Sequence, residues 1–169
     1  QEFRLEEYPR DFFLLDTARV ARAIIGARIA RRHGNQWYGA RIVETEAYLG
    51  STDAAAHSFR GRRTPRVEPM YMEGGHLYVF FVYGMHWMFN IVAGDEGIPQ
   101  AVLIRSLQGI QGPGRVSREL KMDRSFYGES SEAKLGYALD MSDFIVLGFK
   151  SPDYVPLTEF SCNSAHLIK

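Results

Sequence analysis

The chain has 169 residues, 46% of them hydrophobic and 24% charged, enough for one filled core and too few for two comfortable ones, so residues 1–169 read as a single domain. Twenty Lys and Arg balance twenty Asp and Glu, which excludes a globally basic nucleic-acid binder and leaves room for a local basic patch. An aromatic content of 13% excludes a disordered segment, and the lone Cys162 excludes a disulfide framework or a multi-cysteine zinc or iron–sulfur site.

A single cysteine fits a reducing, intracellular setting. Residues 1–10 mix both charge signs with no apolar run behind them, unlike a signal peptide. The most apolar stretch, Leu77 to Val92, is broken by Tyr83, Gly84, His86 and Asn90. It falls short of the roughly 20 apolar residues that span a bilayer.

In chain order, Asp16 is a candidate N-cap for a helix whose Val20, Ala21, Ile24 and Ile25 share a face, with Gly26 as its stop. Arg28 to Arg32 alternates, His33-Gly34-Asn35 supplies a turn, and Trp37 to Tyr48 reads as a long strand, giving a hairpin. Ser51 to Gly75 is an extended basic loop anchored by Met70, Tyr71 and Met72. A second hairpin is predicted from Leu77 to Tyr83 and Met88 to Val92, with Tyr83 to His86 near its tip. Ala101 to Leu107 is a further strand. Gly112-Pro113-Gly114 reads as a tight turn before a short helix around Arg118 to Met122. Beyond residue 128 the pattern weakens: Ser130 to Asp143 reads as a helix, Phe144 to Phe149 as a strand, and the last twenty residues show no period.

Three stretches could carry chemistry. In Val43-Glu44-Thr45-Glu46-Ala47-Tyr48, the strand period of two puts Glu44, Glu46 and Tyr48 on one face and Val43, Thr45 and Ala47 on the other. Two carboxylates beside a phenol can divide acid and base work, since like charges push their pKa values apart; a solvated strand face gives the same pattern. The stretch from His57 to Arg66 holds four arginines and no acid. Sixteen of the twenty cations in the chain are arginines, whose forks suit phosphate oxygens, although charge runs also decorate ordinary surfaces. In Tyr78 to Trp87, most aromatics read as core, but Tyr83 beside the turn would be exposed unless a nucleic acid covered it. His57, His76 and His86 match no zinc spacing, so no metal site is expected.

Arg41 to Gly50, His57, Arg63-Thr64-Pro65-Arg66, Leu77-Tyr78-Val79, Tyr83-Gly84-Met85 and Asn90 together resemble the alkyladenine DNA glycosylase family, also called the 3-methyladenine or N-methylpurine DNA glycosylases. The likeness is co-linear from about Phe12 to about Asp123. The resemblance implies an α+β single domain: a curved antiparallel sheet with flanking helices and a protruding β-hairpin that enters the minor groove of DNA. It implies excision of alkylated or deaminated purines from duplex DNA by hydrolysis of the N-glycosidic bond, by a monomer, with no metal and no cofactor.

Carried over by motif, Glu46 is the catalytic acid/base and Arg105 helps hold the water. Tyr48, His57, Phe80 and Asn90 wall the base pocket. Arg62, Thr64 and Arg66 contact the DNA backbone, Tyr83 fills the gap left by the flipped nucleotide, and Met85 lies on the same hairpin. None of the four lysines falls in these motifs, so no Schiff-base strand nicking is expected. Phe80 stands where the family commonly has tyrosine. Over roughly the last 40 residues the chain also lacks the family's closing Arg-Val/Ile-Gly-Val/Ile segment. The competing readings are a damage-recognising DNA binder without catalysis and, more remotely, a carbohydrate glycosidase using Glu44 and Glu46.

Overall fold

The computed structural model describes residues 5–122, 137–139, 144–149 and 167–168. The chain is α+β: among the described residues, one curled, antiparallel, ten-stranded sheet has two short α-helices against it. The strands are β1 (Leu5–Glu7), β2 (Arg28–His33), β3 (Gln36–Tyr48), β4 (Leu77–Val82), β5 (His86–Val92), β6 (Ala101–Leu107), β7 (Ile110–Gln111), β8 (Tyr137–Leu139), β9 (Phe144–Phe149) and β10 (Leu167–Ile168). Their order is β1-β9-β2-β3-β6-β5-β4-β8, with β7 on β6 and β10 on β3.

Helix α1 (Thr17–Ala23) begins where expected, because the Asp16 carboxylate accepts the Arg19 N–H at 3.0 Å. It buries Val20 and Ala21 fully. At its end the Ile25 N–H goes to the Arg22 carbonyl, and the buried Thr45 hydroxyl donates to the Ala21 carbonyl at 2.9 Å. That bond satisfies a helix-end acceptor and braces α1 against the back of β3. Gly26, at φ +86°, then turns the chain into β2.

The first hairpin forms as expected, with His33 opposite Gln36. The second is tighter than expected. His86 and Trp87 belong to β5, Val82 faces His86, and only Tyr83, Gly84 and Met85 lie between the strands. The tight turn at residues 112–114 is itself the start of α2 (Pro113–Glu119), with Pro113 in the first turn where its missing N–H costs nothing. The expected helix over 130–143 is overturned at Tyr137–Leu139, which pair as β8 with β4; the rest of that segment lies outside the described residues. The strand Phe144–Phe149 is present and joins β1 to β2.

Alternation sorts the sheet residues onto two faces. Ala47, Leu77, Val79, Phe89, Ile91, Val102 and Ile104 pack into the main core with α1 and α2. Tyr78, Val92 and Ala101 point the other way and pack with Val67, Met70 and Tyr71 of the 51–75 loop, with Tyr48 and Phe80 against them. The loop thus carries its own small core and covers the second face. Ser58 clamps it down by donating to the Pro99 carbonyl at 3.0 Å.

One irregularity interrupts the alternation. On β3 the core positions are Ile42 and Thr45, three apart, and on β6 they are Ile104 and Leu107, also three apart. The ladder pairs Ile42 with Leu107, Glu44 with Ser106 and Thr45 with Ile104, skipping Val43 on one strand and Arg105 on the other. The face expected to hold Val43, Thr45 and Ala47 therefore holds Ile42, Thr45 and Ala47. A bulge of this kind re-aims side chains, and such bulges are common beside active sites.

Candidate functional site

The face opposite the helices gathers most of the predicted site residues. Tyr48 from β3, Phe80 from β4, Asn90 from β5 and His57 from the loop line one half-open pocket, together with Ala55, Met70 and Tyr78. Its empty space is about 270 Å³, including the part open to solvent.

The wall is aromatic. His57 meets Phe80 edge-on at 4.6 Å and Tyr78 at 6.3 Å, and Tyr78 and Phe80 lie 5.0 Å apart. Tyr78, 2% exposed, bonds its hydroxyl to Nδ1 of His57 at 3.0 Å. Burial against this wall, with the positive charges of Arg66 and Arg62, lowers the His57 pKa and favours its neutral form. Asn90, also 2% exposed, spends one amide N–H on the Tyr78 carbonyl at 3.1 Å.

The Glu46 carboxylate is tied to this wall through Tyr48. Glu46 Oε1 accepts from Arg105 Nη1 at 2.8 Å, and Oε2 accepts from the Tyr48 hydroxyl at 2.7 Å. Burial first, then the bond and charge of Glu46, push the Tyr48 phenol well above its ordinary pKa. It therefore stays protonated and donates. Glu46 is thus held at both oxygens by fixed donors while its neighbour Tyr48 lines the pocket. Such an anion can accept a proton from water or stabilise a cation forming beside it.

The remaining predicted residues do not line the pocket. Tyr83 and Met85, at the β4–β5 turn, are 86% and 65% exposed. Tyr83 adopts φ +53° and Gly84 φ +66°. Arg62 is exposed, and its carbonyl accepts from the Tyr71 hydroxyl. Thr64 is half-buried, and its carbonyl accepts the N–H groups of Val67 and Glu68, starting the turn that carries Met70. Arg66 is half-buried; its guanidinium lies 5.5 Å from the Phe80 ring centre and donates to the Phe81 carbonyl at 3.2 Å.

Sequence reasoning passed over several residues. Tyr78 reads as core from its apolar neighbours, yet it lines the pocket and orients His57. Ala55 and Met70 complete the lining. Asp53, 5% exposed, accepts the N–H groups of Leu49 and Ala55 and so fixes the turn leading to His57. The signal for Asp53 is present as an acid two residues before Ala55, the spacing of an Asx turn. Among the described residues, no group of three or more His, Cys, Asp or Glu could hold a metal ion.

Residues 11–143 match the sequence profile of the family described as methylpurine-DNA glycosylase. A Borrelia garinii protein is 45% identical over 128 residues, 69% of each chain, and one from Desulfitobacterium hafniense is 42% identical over 147 residues, 71% of this chain and 72% of its own. A Clostridioides difficile protein is 33% identical over 162 residues, 80% and 79% of the two chains. All three are provisionally named 3-methyladenine DNA glycosylase.

Proposed function

The chain belongs to the methylpurine-DNA glycosylase family, and from that premise we propose that it excises alkylated or deaminated purines from duplex DNA, hydrolysing the N-glycosidic bond and leaving an abasic site. The observation that carries this reading is the Glu46 carboxylate, held by Arg105 and by Tyr48, whose own ring lines an aromatic pocket.

In this reading the damaged nucleotide leaves the stack, at a cost of a few kcal/mol that a damaged pair lowers. Tyr83 fills the gap, and Met85, Arg62, Thr64 and Arg66 meet the DNA backbone. The purine enters between Tyr48, His57 and Phe80. Stacking there is worth about 1–3 kcal/mol per base. Asn90, on the pocket wall, meets the edge of the base and disfavours an exocyclic amine.

A water held by Glu46 and Arg105 attacks the anomeric carbon. The bond from that carbon to the purine nitrogen breaks, and its electron pair leaves with the base. Glu46 takes the proton of the water and offsets the positive charge of the sugar. An N3- or N7-alkylated purine is already cationic and departs neutral; hypoxanthine needs a proton or strong hydrogen bonds at its edge. No amine stands in the proposed machinery, so the reaction ends at hydrolysis. The protein acts as a monomer, inside the cell where its DNA substrate is.

The test is incubation with duplexes carrying 3-methyladenine, hypoxanthine or ethenoadenine, followed by alkali. Strand breaks are expected for at least one lesion with wild type. Glu46→Gln should lose excision by at least about 10²-fold, the scale of a general base, while still binding lesion DNA. No breaks above the Glu46→Gln control, with lesion binding intact, would leave a damage-binding protein instead.

A further inference from the structure

Of the two carboxylates in the Glu44-Thr45-Glu46 run, the proposed chemistry uses one. We infer that Glu44 is a positioning residue that fixes the Arg105 guanidinium for Glu46, an assignment that rests on the glycosylase reading.

The observations are geometric. The paired irregularities in β3 and β6 set Glu44 directly opposite Ser106 and leave Arg105 outside the ladder. Arg105 then lies between two carboxylates. Its Nη1 donates to Glu46 at 2.8 Å, and its Nε stands 3.9 Å from Glu44 Oε2. Glu44 is itself tied down: Oε2 accepts the Ser106 hydroxyl at 2.7 Å, and Ser106 Oγ accepts the Gly112 N–H at 3.2 Å. Gly112 caps α2, so the chain of contacts runs from the helix start through Ser106 and Glu44 to Arg105 and Glu46.

The electrostatics give this arrangement a purpose. An arginine with a single carboxylate partner can swing on its long stem, and it is 41% exposed here. A second, anchored carboxylate at the Nε end of the fork restricts that swing and fixes the plane in which Nη1 meets Glu46. Misplacement of a catalytic group by about 1 Å can cost 10²-fold in rate. Ser106 is 3% exposed, so water does not compete freely for its bond to Glu44.

A double-mutant cycle tests the assignment. Glu44→Gln keeps the shape and an acceptor for Ser106 but removes the charge. It is expected to slow single-turnover excision about tenfold, the size of a coupling between contacting groups, with affinity for lesion DNA and thermal melting unchanged. Arg105→Gln should slow excision further. If Glu44 acts through Arg105, the double variant is no slower than Arg105→Gln alone. Multiplying losses would overturn the inference, as would a Glu44→Gln effect confined to affinity. Should Glu44→Gln melt early, Ser106→Ala, the milder cut in the same chain, carries the cycle with the same expected non-additivity. A readout independent of catalysis separates the two proposals. Motion of the Arg105 Nε–H bond, followed by ¹⁵N relaxation, should be greater in Glu44→Gln than in wild type. Equal motion in the two sinks the assignment even if excision is present. Wild type without excision sinks the glycosylase reading and leaves the relaxation comparison to decide the role of Glu44.

Discussion

Tyr48 carries two tasks on one side chain. Its ring lines the pocket, and its hydroxyl donates to Glu46 Oε2 at 2.7 Å. Replacement by phenylalanine separates them, since the ring stays and the donor goes. Bonds to charged groups are worth about 1.5–3 kcal/mol, and each 1.4 kcal/mol is tenfold in rate. Tyr48→Phe is therefore expected to slow single-turnover excision about ten- to hundredfold, while affinity for lesion DNA stays near that of wild type. Equal losses in both would assign Tyr48 to base binding alone. The phenol is a donor throughout the neutral range, because burial and the adjacent carboxylate push its pKa far above the ordinary value. A change of rate between pH 6 and 8 thus cannot come from its ionisation.

At the scale of elements, the β4–β5 turn holds a conformation that its sequence does not favour. Tyr83 sits at φ +53° with its ring 86% exposed. A left-handed residue with a Cβ costs roughly 1–2 kcal/mol, and such strain tends to persist where function demands it. Tyr83→Gly relieves the strain and removes the ring. It is expected to melt no lower than wild type, yet to bind lesion duplex about ten- to hundredfold more weakly, the worth of one stacked base. Single-turnover rates at saturating enzyme should match wild type; a rate loss with unchanged binding would place Tyr83 in the chemistry instead.

The two hairpins, α1 and the strand Ala101–Leu107 were legible in sequence because period, cap and turn residues agreed on them. Tyr48, His57, Phe80 and Asn90, grouped by the resemblance, do line one pocket, but Tyr78 was passed over, since a buried pocket tyrosine and a core tyrosine leave the same local pattern. The bulges were misread because strict alternation was assumed across Ile42-Val43-Glu44-Thr45. The three-residue spacing of Ile104 and Leu107 around Arg105-Ser106 was the readable sign that alternation fails there. The strand at Tyr137–Leu139 was invisible because its partner β4 lies about sixty residues away, and long-range pairing overrides weak local propensity.

Across the molecule, formal charge sums to zero, so attraction to a polyanion must come from distribution and not from total. The loop side holds Arg60, Arg62, Arg63 and Arg66, but these cations are not equivalent. Arg63 is committed: Nε donates to Glu68 at 2.8 Å, a second nitrogen reaches the other carboxylate oxygen, and the guanidinium sits 4.5 Å from the Tyr71 ring centre. Arg66 is drawn inward by Phe80 and the Phe81 carbonyl. Arg62 is exposed and has no acidic partner among the described residues. Each phosphate neutralised contributes about −0.9 to the slope of log affinity against log salt. Arg62→Ala is therefore expected to flatten that slope by about one and to weaken undamaged and lesion duplexes alike. Arg63→Ala should leave the slope nearly unchanged, because its charge is already offset by Glu68. Titrations of labelled duplex at several salt concentrations measure both. If Arg63→Ala flattens the slope while Arg62→Ala does not, the ion pair with Glu68 opens on binding, and the electrostatic footprint lies one residue further along the loop.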